Sequence, residues 1–207
     1  MTEIVLSRWL RTCWTRPHAI LPAIACRLKR LRVRRFMRDG ELFYAYEGEL
    51  YPAYLWGGNA VAFIVDKAHE YCAGKGIDVG ANQWPFPGAV PIQDTPSENA
   101  YRLDRFADGS LDYVFSSHCL EHLDLWQDAL RLWISKLRAG GVLFLYLPHV
   151  SNGLWKPGGP WVGDGHVWSP TWEVLCPFLE REGMAILEVN RNRDRYWSFH
   201  IAARRLR

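Results

Sequence analysis

Two carboxylates in the middle of this 207-residue chain stand where they could bind a polar ligand. Asp78 lies in the run GIDVGAN, residues 76–82, where a short apolar strand leads into a glycine turn. Glycine has no Cβ to keep a ligand away from the backbone. Asp94 ends the next apolar run, AVPIQD, and a carboxylate there can accept hydrogen bonds from both hydroxyls of a ribose. Each acid taken alone is also typical of an ordinary turn.

Histidines supply a second kind of chemistry, and four of them fall in segments that we expect near strand ends: His118, His122, His149 and His166. Imidazole has an ordinary pKa near neutrality, so it can remove a proton from an acceptor group. We consider His118 and His166 candidate catalytic bases, although either could be a structural histidine. His122 follows Glu121 at an expected helix start, which is more typical of a local structural contact.

An alternation of strands and helices has to position these residues. A hairpin is expected around Glu47–Gly48. The other predicted elements are helix 59–72, strands 76–80, 89–94 and 111–117, an amphipathic helix 120–137 capped by Gly140–Gly141, strand 142–148, helix 171–182, and strands 185–190 and 198–204. Short buried strands that alternate with helices predict an α/β fold with a mainly parallel sheet.

The N-terminal residues differ from the rest in charge. Residues 1–39 carry ten Lys and Arg against two acids, whereas the remainder carries fifteen against twenty. We therefore predict a basic N-terminal arm, residues 1–40, and a domain, residues 41–207. The stretch 27–38, RLKRLRVRRFMR, together with an upstream apolar stripe, could form an amphipathic helix; the stripe consists of Ile20, Leu21, Ile24 and Leu28.

The function of this arm has three readings: a solvated basic segment, a contact with an anionic membrane surface, or a contact with nucleic acid. Between the last two, the apolar and aromatic residues Trp9, Leu10, Trp14 and Phe36 favour the membrane surface.

Composition excludes several classes of protein. With 49% hydrophobic and 23% charged residues, the chain is neither disordered nor fibrous. The five cysteines are odd in number and widely spaced, so neither a disulfide framework nor a metal site is predicted. Acidic and basic residues interrupt the N-terminal apolar stretch, and no window is long enough to span a membrane. We expect a cytoplasmic protein, with a possible location at the inner face of the membrane.

Five short motifs occur in order over residues 74–150: GIDVGAN, PIQD, RLDRFADGSLDYV, SSHCLEHL and LRAGG. Their order and spacing resemble those of the class I S-adenosylmethionine-dependent methyltransferases, in particular the methyltransferase type 11 branch. A further segment, residues 165–184, is similar to a late part of the same family. The resemblance implies a Rossmann-like sheet of the seven-stranded type, with helices on both faces and S-adenosyl-L-methionine at the carboxyl ends of its first strands.

The resemblance also assigns the cofactor-binding residues. Asp78, Gly80 and Asn82 would shape the methionine pocket, and Asp94 would hold the ribose hydroxyls. Leu103 and Asp104 would flank the adenine, whereas Ser117 and His118 would line the floor near the sulfonium. Two features depart from the family pattern: Asn82 replaces a glycine and is followed by a WPFPG insertion, and only nine residues separate Asp94 from Asp104. Asn82 could preserve the turn because asparagine tolerates left-handed backbone geometry.

The predicted function is methyl transfer to a small molecule or to a glycan or glycolipid precursor. A saccharide acceptor is suggested by the tryptophans in Gly- and Pro-rich loops, which could instead form a hydrophobic lid: Trp84, Trp155, Trp161 and Trp168. The alternative is a non-catalytic methyltransferase-like scaffold or binding protein. A dinucleotide oxidoreductase is disfavoured because GxGxxG is absent. Nucleic acid is a disfavoured substrate because the domain is net acidic and lacks an NPPY-type motif.

Overall fold

The computed structural model describes residues 20–163 and 165–207, with side chains from residue 25 onward. The described chain divides into two compact units. The first comprises the described residues up to Ala53 and those from Gly153 to Val167, and the second comprises Tyr54–Asn152 and Trp168–Arg207. The predicted anchors Trp9, Leu10 and Trp14 lie outside the described residues.

The first unit begins with helix α1, Ile20–Arg30, which is followed by a three-stranded antiparallel sheet in the order β1-β2-β3. Its strands are β1 (Arg34–Arg38), β2 (Glu41–Tyr46) and β3 (Glu49–Pro52). Both hairpin turns have two residues with positive φ, Asp39–Gly40 and Glu47–Gly48, as tight hairpins require. The hairpin expected at Glu47–Gly48 is therefore present.

The basic stretch 27–38 does not form a single helix, and that prediction is wrong. The helix ends at Arg30, and residues 34–38 form β1, in which Phe36 lies opposite and stacks on Phe43 of β2. Pairing with β2 satisfies backbone groups along one side of β1. The predicted domain boundary after residue 40 falls within the turn of this hairpin.

The second unit contains a sheet of six described strands in the order β5-β4-β6-β7-β9-β8. The strands are β4 (Gly76–Val79), β5 (Val90–Ile92), β6 (Leu111–Ser117), β7 (Leu137–Pro148), β8 (Met184–Asn190) and β9 (Ser198–Arg205). The helices are α2 (Val61–His69), α3 (Trp126–Lys136) and α4 (Trp172–Arg181). Strands β5, β4, β6 and β7 are parallel, and β9 is antiparallel to both its neighbours. The predicted α/β fold with a mainly parallel sheet is confirmed.

Both faces of the sheet are covered. Successive side chains of a strand point to opposite sides, so β7 contributes to the packing on each face. One face packs with α3 and α4 in a cluster that contains Leu143, Leu145 and Leu147 of β7. On the other face Phe144 stacks on Phe115 with ring centroids 5.8 Å apart. This double burial explains why β7 reads as a continuous apolar run.

The expected seven-stranded sheet lacks one strand in the described residues. Between β5 and β6 the structure contains turns and a single isolated bridge, from Asn99 to Arg102. The nine residues between Asp94 and Asp104 leave too little chain for the helix and strand that the resemblance implied there. This side of the unit is therefore closed by a loop.

Two local predictions are corrected around α3. The helix predicted from residue 120 begins at Trp126, because Leu120–His122 forms a short 3-10 turn and Leu123 is extended. The predicted glycine cap at 140–141 lies inside β7, which starts at Leu137. A Cβ on Gly141 would lie about 3 Å from three backbone oxygens, so this glycine permits the close approach of β7 to β6.

None of the helices in the described part of the chain is both long and apolar enough to cross a membrane.

Candidate functional site

Two cavities open at the carboxyl ends of β4, β5 and β6, the edge at which open α/β sheets bind ligands. The smaller, of about 130 Å³, is lined by Gly58, Ala60, Val61, Asp78, Gly80, Ala81, Asn82, Trp84, Ser117 and His118. The larger, of about 480 Å³, is lined by Gly80, Asn82, Ile92, Gln93, Asp94, Asn99, Ala100, Tyr101, His118, Cys119, His122, Leu123 and Asp124. Gly80, Asn82 and His118 belong to both, so the two cavities form one cleft.

Asp78 is the most buried acid of the smaller cavity. Only 2% of the residue is exposed, and Oδ2 of its carboxylate accepts a 2.8 Å hydrogen bond from the backbone N–H of Phe86. Burial raises the pKa of Asp78 to about 6, and the hydrogen bond from Phe86 opposes that rise. The inserted WPFPG segment is therefore attached to the carboxylate that the sequence predicted as a ligand.

Gly80 forms the turn after β4 with a φ of +84°. A Cβ at this position would lie 2.5 Å from both the Cβ and the Sγ of Cys119, so only glycine fits. Asn82 lines the cleft, but it is not among the described residues with positive φ. The turn is preserved without the left-handed asparagine that we expected, because Gly80 makes the reversal.

Asp94 lies just beyond β5 and lines the larger cavity with an exposed carboxylate. Two other residues line the same cavity and contact each other, since the hydroxyl of Tyr101 donates a 2.8 Å hydrogen bond to Oδ1 of Asp124. Sequence reasoning missed Tyr101 and Asp124, because neither lies in a family motif or at a predicted strand end. The short spacing between Asp94 and Asp104 could have indicated Tyr101, because the loop that replaces the expected strand lines the cleft.

Leu103 and Asp104 are not brought to the cleft. Leu103 is fully buried in the hydrophobic core. Asp104 has a side chain that is 85% exposed and lies 3.8 Å from Arg102. Neither lines either cavity, and the role of flanking the adenine does not fit their positions. The tight turn between Asn99 and Arg102 directs the next residue inward and presents Asn99, Ala100 and Tyr101 to the cavity.

His118 occupies a special backbone position directly after β6. It is one of few described non-glycine residues with a left-handed φ, +50°, and its N–H donates to the carbonyl of Tyr146. Nε2 of its ring lies 2.8 Å from Oγ of Ser198, and Nδ1 lies 3.4 Å from Oε1 of Glu121. Ser117 and His118 both line the smaller cavity.

Glu121 is completely buried beside His118. Burial raises the pKa of its carboxyl to about 8, because a charge is poorly solvated inside the protein. In the sequence, Glu121 stands only as a neighbour of His122 at an expected helix start. The motif SSHCLEHL could have indicated this contact, because His118 and Glu121 are three residues apart and a tight turn can bring their side chains together.

His166, the other predicted base, belongs to the first unit. It is buried, and Nδ1 of its ring lies 2.6 Å from the carbonyl oxygen of Trp155. His166 does not line either of the two cavities described in the second unit.

Most of the loop tryptophans pack inside their own unit. In the first unit Trp155 is buried and its ring contacts that of Trp161. In the second, Trp168 stacks on Trp126 with ring centroids 4.7 Å apart, and its Nε1–H donates to the carbonyl of Leu120. Trp84, by contrast, is 40% exposed and lines the smaller cavity. The other three pack as structural side chains within their own units, which does not favour a role as sugar platforms.

The segment that builds this cleft matches a protein-family model described as a methyltransferase domain, over residues 77–145. Residues 77–145 are a methyltransferase domain. The match runs from β4 into β7 and includes the turns after β4, β5 and β6 that line the cleft. The predicted resemblance to the methyltransferase family is confirmed for this segment.

Solved structures similar to the methyltransferase domain and its surroundings share the fold at low sequence identity. A complex of the Trm112 methyltransferase activator and a methyltransferase from Haloferax volcanii matches with a TM-score of 0.53 and 10% identity, over 75% of this chain and 94% of that one. A SAM-dependent methyltransferase from Thermotoga maritima matches with a TM-score of 0.52 and 14% identity, over 73% and 92%. No curated protein matches the sequence.

A third structure, the 1,6-didemethyltoxoflavin-N1-methyltransferase of Burkholderia thailandensis, was solved with 1,6-didemethyltoxoflavin and S-adenosylhomocysteine bound. It matches with a TM-score of 0.52 and 11% identity, over 85% of this chain and the whole of that one. At these identities the likeness concerns the fold alone.

Proposed function

We propose that this chain binds S-adenosyl-L-methionine in the cleft of the second unit and methylates a small molecule or a glycan or glycolipid precursor. The observation that carries this proposal is the continuity of the two cavities through Gly80, Asn82 and His118. A nucleoside and an amino acid joined through a sulfonium need two adjoining compartments of unequal size. The small-molecule acceptor named for the Burkholderia thailandensis structure supports the same class of substrate.

The residues of the cleft fit this cofactor in their chemistry. The exposed carboxylate of Asp94 is free to accept two hydrogen bonds, as a ribose diol requires. The buried carboxylate of Asp78 lines the smaller cavity and favours a cationic group there. Ser117 adds a hydroxyl to the same cavity. When bound, S-adenosylmethionine would supply an electrophilic methyl carbon, and the protein would have to orient the acceptor and take its proton.

His118 is the proposed base for a hydroxyl acceptor. The hydroxyl of Ser198 donates to the carbonyl of Tyr196 and therefore accepts from an Nε2–H of His118, which leaves the Nδ1 lone pair facing Glu121. When Glu121 is ionised, the imidazole can instead direct an Nδ1–H toward it. Nε2 then has a lone pair that takes the acceptor proton in place of the contact with Ser198, and Glu121 stabilises the resulting imidazolium. Glu121 is a positioning residue in this scheme.

The acceptor is proposed to enter past Trp84, whose exposed ring lies at the smaller cavity. An aromatic face can stack on a saccharide or on a planar acceptor. The packing of Trp155, Trp161 and Trp168 leaves Trp84 as the loop tryptophan that supports a saccharide acceptor. We also propose that the reaction takes place in the cytoplasm, which is consistent with the free thiols of all four cysteines that the structure describes.

Calorimetric titration of the full chain with S-adenosylmethionine and S-adenosylhomocysteine tests the proposal. We expect micromolar binding of both ligands and, for Asp94→Ala, affinities lower by about tenfold to a hundredfold, because hydrogen bonds to a charged group are lost. Asp104→Ala is the matched control, since its carboxylate lies outside the cleft and binding should be unchanged. If neither ligand binds the wild-type chain, the methyl-transfer proposal is abandoned and the non-catalytic scaffold replaces it. Where binding holds, an acceptor screen begins with saccharides.

A further inference from the structure

One face of helix α1 contacts residues 158–160 of the same unit. Cys26, Lys29 and Arg30 direct polar atoms at three consecutive carbonyl groups of residues 158–160. The ammonium of Lys29 donates to the Gly158 oxygen at 2.8 Å, and Nε of Arg30 donates to the Pro160 oxygen at 2.6 Å. At about 100° per residue, these three positions form one continuous side of the helix. Two of the cations in the basic stretch are thus used inside the protein.

The opposite side of α1 carries large apolar groups in solvent. Leu28 is 58% exposed and Leu31 is 78% exposed. Leu31 continues the helix, because its N–H donates to the carbonyl of Arg27, and on the helical projection Leu31 lies between Arg27 and Leu28. We call Arg27, Leu28, Leu31 and the adjoining Arg32 the leucine–arginine face. In the sequence pattern, Leu28 is one end of the apolar stripe predicted from residue 20.

The charges around this face are unbalanced. Arg27, Arg32, Arg34 and Arg35 are exposed, and among the side chains that the structure describes none of them forms an ion pair with a carboxylate. Within residues 27–39 the described ion pair joins Arg38 to Asp39, at 3.6 Å. Arginines on the edge strand β1 can also serve to block pairing with another strand, but that role does not account for two exposed leucines on the helix.

We propose that the leucine–arginine face binds the surface of an anionic phospholipid bilayer. Leucine side chains on one face of a short helix can enter the boundary between headgroups and acyl chains, and flanking arginines can bind the lipid phosphates. Nucleic acid would use the arginines alone and would leave the leucines in water. The proposal sharpens the membrane contact predicted for residues 27–38, and it does not depend on methyl transfer.

Co-sedimentation of the full-length protein with vesicles tests the proposal. Vesicles of phosphatidylcholine mixed with phosphatidylglycerol should carry the protein into the pellet, whereas vesicles of phosphatidylcholine alone should carry little. Leu28→Ser together with Leu31→Ser should lower the partition coefficient about tenfold or more, because the burial of two leucines is lost. Arg27→Gln together with Arg32→Gln should have a similar effect, and added salt should weaken the wild-type binding.

Val174→Ser together with Leu206→Ser is the matched control. These side chains are 47% and 62% exposed in the second unit, and their loss should leave partitioning unchanged. Thermal unfolding should be the same for all the variants, since every replaced side chain is exposed. The proposal is overturned if wild-type protein does not bind the anionic vesicles, or if the leucine variant binds them as well as wild type does. A short RNA duplex is the competing ligand, and binding to it that depends on the arginines but not on the leucines would also overturn the proposal.

Discussion

The backbone N–H of Phe86 donates a 2.8 Å hydrogen bond to the carboxylate of Asp78, eight residues earlier in the chain. The ring of Phe86 is buried and stacks on Phe115 of the central strand β6, with centroids 4.4 Å apart. Phe86 therefore anchors the inserted segment in two ways. Its ring packs on β6, and its N–H binds the carboxylate of Asp78 in the cleft. This anchor places Trp84, two residues earlier, at the smaller cavity.

Asp78→Asn should stabilise the protein and weaken its ligand binding. The pKa of Asp78 is raised to about 6 in the folded protein, above its ordinary value. The protonated form therefore favours folding at low pH, and that contribution is lost as the pH rises through about 6. Asparagine keeps an oxygen for the Phe86 N–H and removes the buried charge, so the free energy of unfolding at pH 7 should rise by about 1–3 kcal/mol. Urea denaturation measures this gain.

The same variant should bind S-adenosylmethionine more weakly, as titration calorimetry would detect, because the carboxylate that favours a cation in the smaller cavity is gone. A variant that is less stable than wild type at pH 7 would show that the buried charge of Asp78 is compensated by contacts other than Phe86.

A comparison of Phe86→Ala with Trp84→Ala should distinguish the residue that anchors the inserted segment from the residue that contacts the ligand. Phe86 is 1% exposed, and its truncation should cost about 3–5 kcal/mol of unfolding free energy through the cavity left behind. Trp84 is 40% exposed, so its truncation should cost about 0.5 kcal/mol and weaken ligand or acceptor binding by up to about tenfold. Chemical denaturation and calorimetry on both variants measure the contrast. Equal effects of the two variants on stability would contradict the assigned anchor.

Glu121→Gln should remove a pH dependence from the stability of the protein. Burial raises the pKa of Glu121 to about 8 in the folded state, so its protonated form stabilises the fold below the ordinary carboxyl pKa, and this contribution disappears as the pH rises through 8. The melting temperature of wild-type protein should therefore fall between pH 6 and pH 9 more than that of the glutamine variant. Parallel pH dependences for the two proteins would argue against a protonated Glu121.

Once an acceptor is identified, the contact between His118 and Glu121 predicts how the rate of methyl transfer depends on pH. For a hydroxyl acceptor, kcat/KM should rise with pH up to about 8, as Glu121 ionises and the lone pair moves to Nε2 of His118. Glu121→Gln should show a lower rate without this rise and should keep its affinity for S-adenosylmethionine. His118→Ala should lose activity at every pH. A rise preserved in the glutamine variant would exclude Glu121 as the positioning residue.

Glu188→Gln should destabilise the far side of the sheet without affecting the cleft. The carboxylate of Glu188 accepts hydrogen bonds from Tyr71 and Lys67 and lies 3.0 Å from Nε2 of the buried His200. The hydrogen bond from Tyr71 is the main cause that lowers the pKa of Glu188 to about 2. Glutamine should cost about 1–3 kcal/mol at pH 7, measured by urea denaturation.

The ionised form of Glu188 stabilises the fold above the ordinary carboxyl pKa, and this contribution is lost as the pH falls toward 2. The stability difference between wild type and Glu188→Gln should therefore narrow below pH 5. The control is Glu70→Gln, whose carboxylate is 58% exposed and pairs with Lys67; its cost should stay within about 0.5 kcal/mol.

The order of strands and helices in the second unit and the turns that line its cleft could be read from the amino-acid sequence alone. Strand residues buried on both faces form unbroken apolar runs, and a glycine such as Gly80 marks a turn that no other residue can make. Asp78, Asp94, Ser117 and His118 could be predicted to lie near the cleft for this reason, because they stand at or just beyond the ends of such runs. These signals are local in the chain.

The tertiary structure decided what depends on contacts between distant residues. Leu103 and Asp104 could not be excluded from the cleft until the turn at 99–102 was seen to direct one inward and the other to solvent. Likewise, the hydrogen bond from Phe86 to Asp78 and the burial of Glu121 follow from packing around β6. A sequence pattern records which residues are apolar or charged, whereas burial and partner choice are set by the three-dimensional arrangement of segments far apart in the chain.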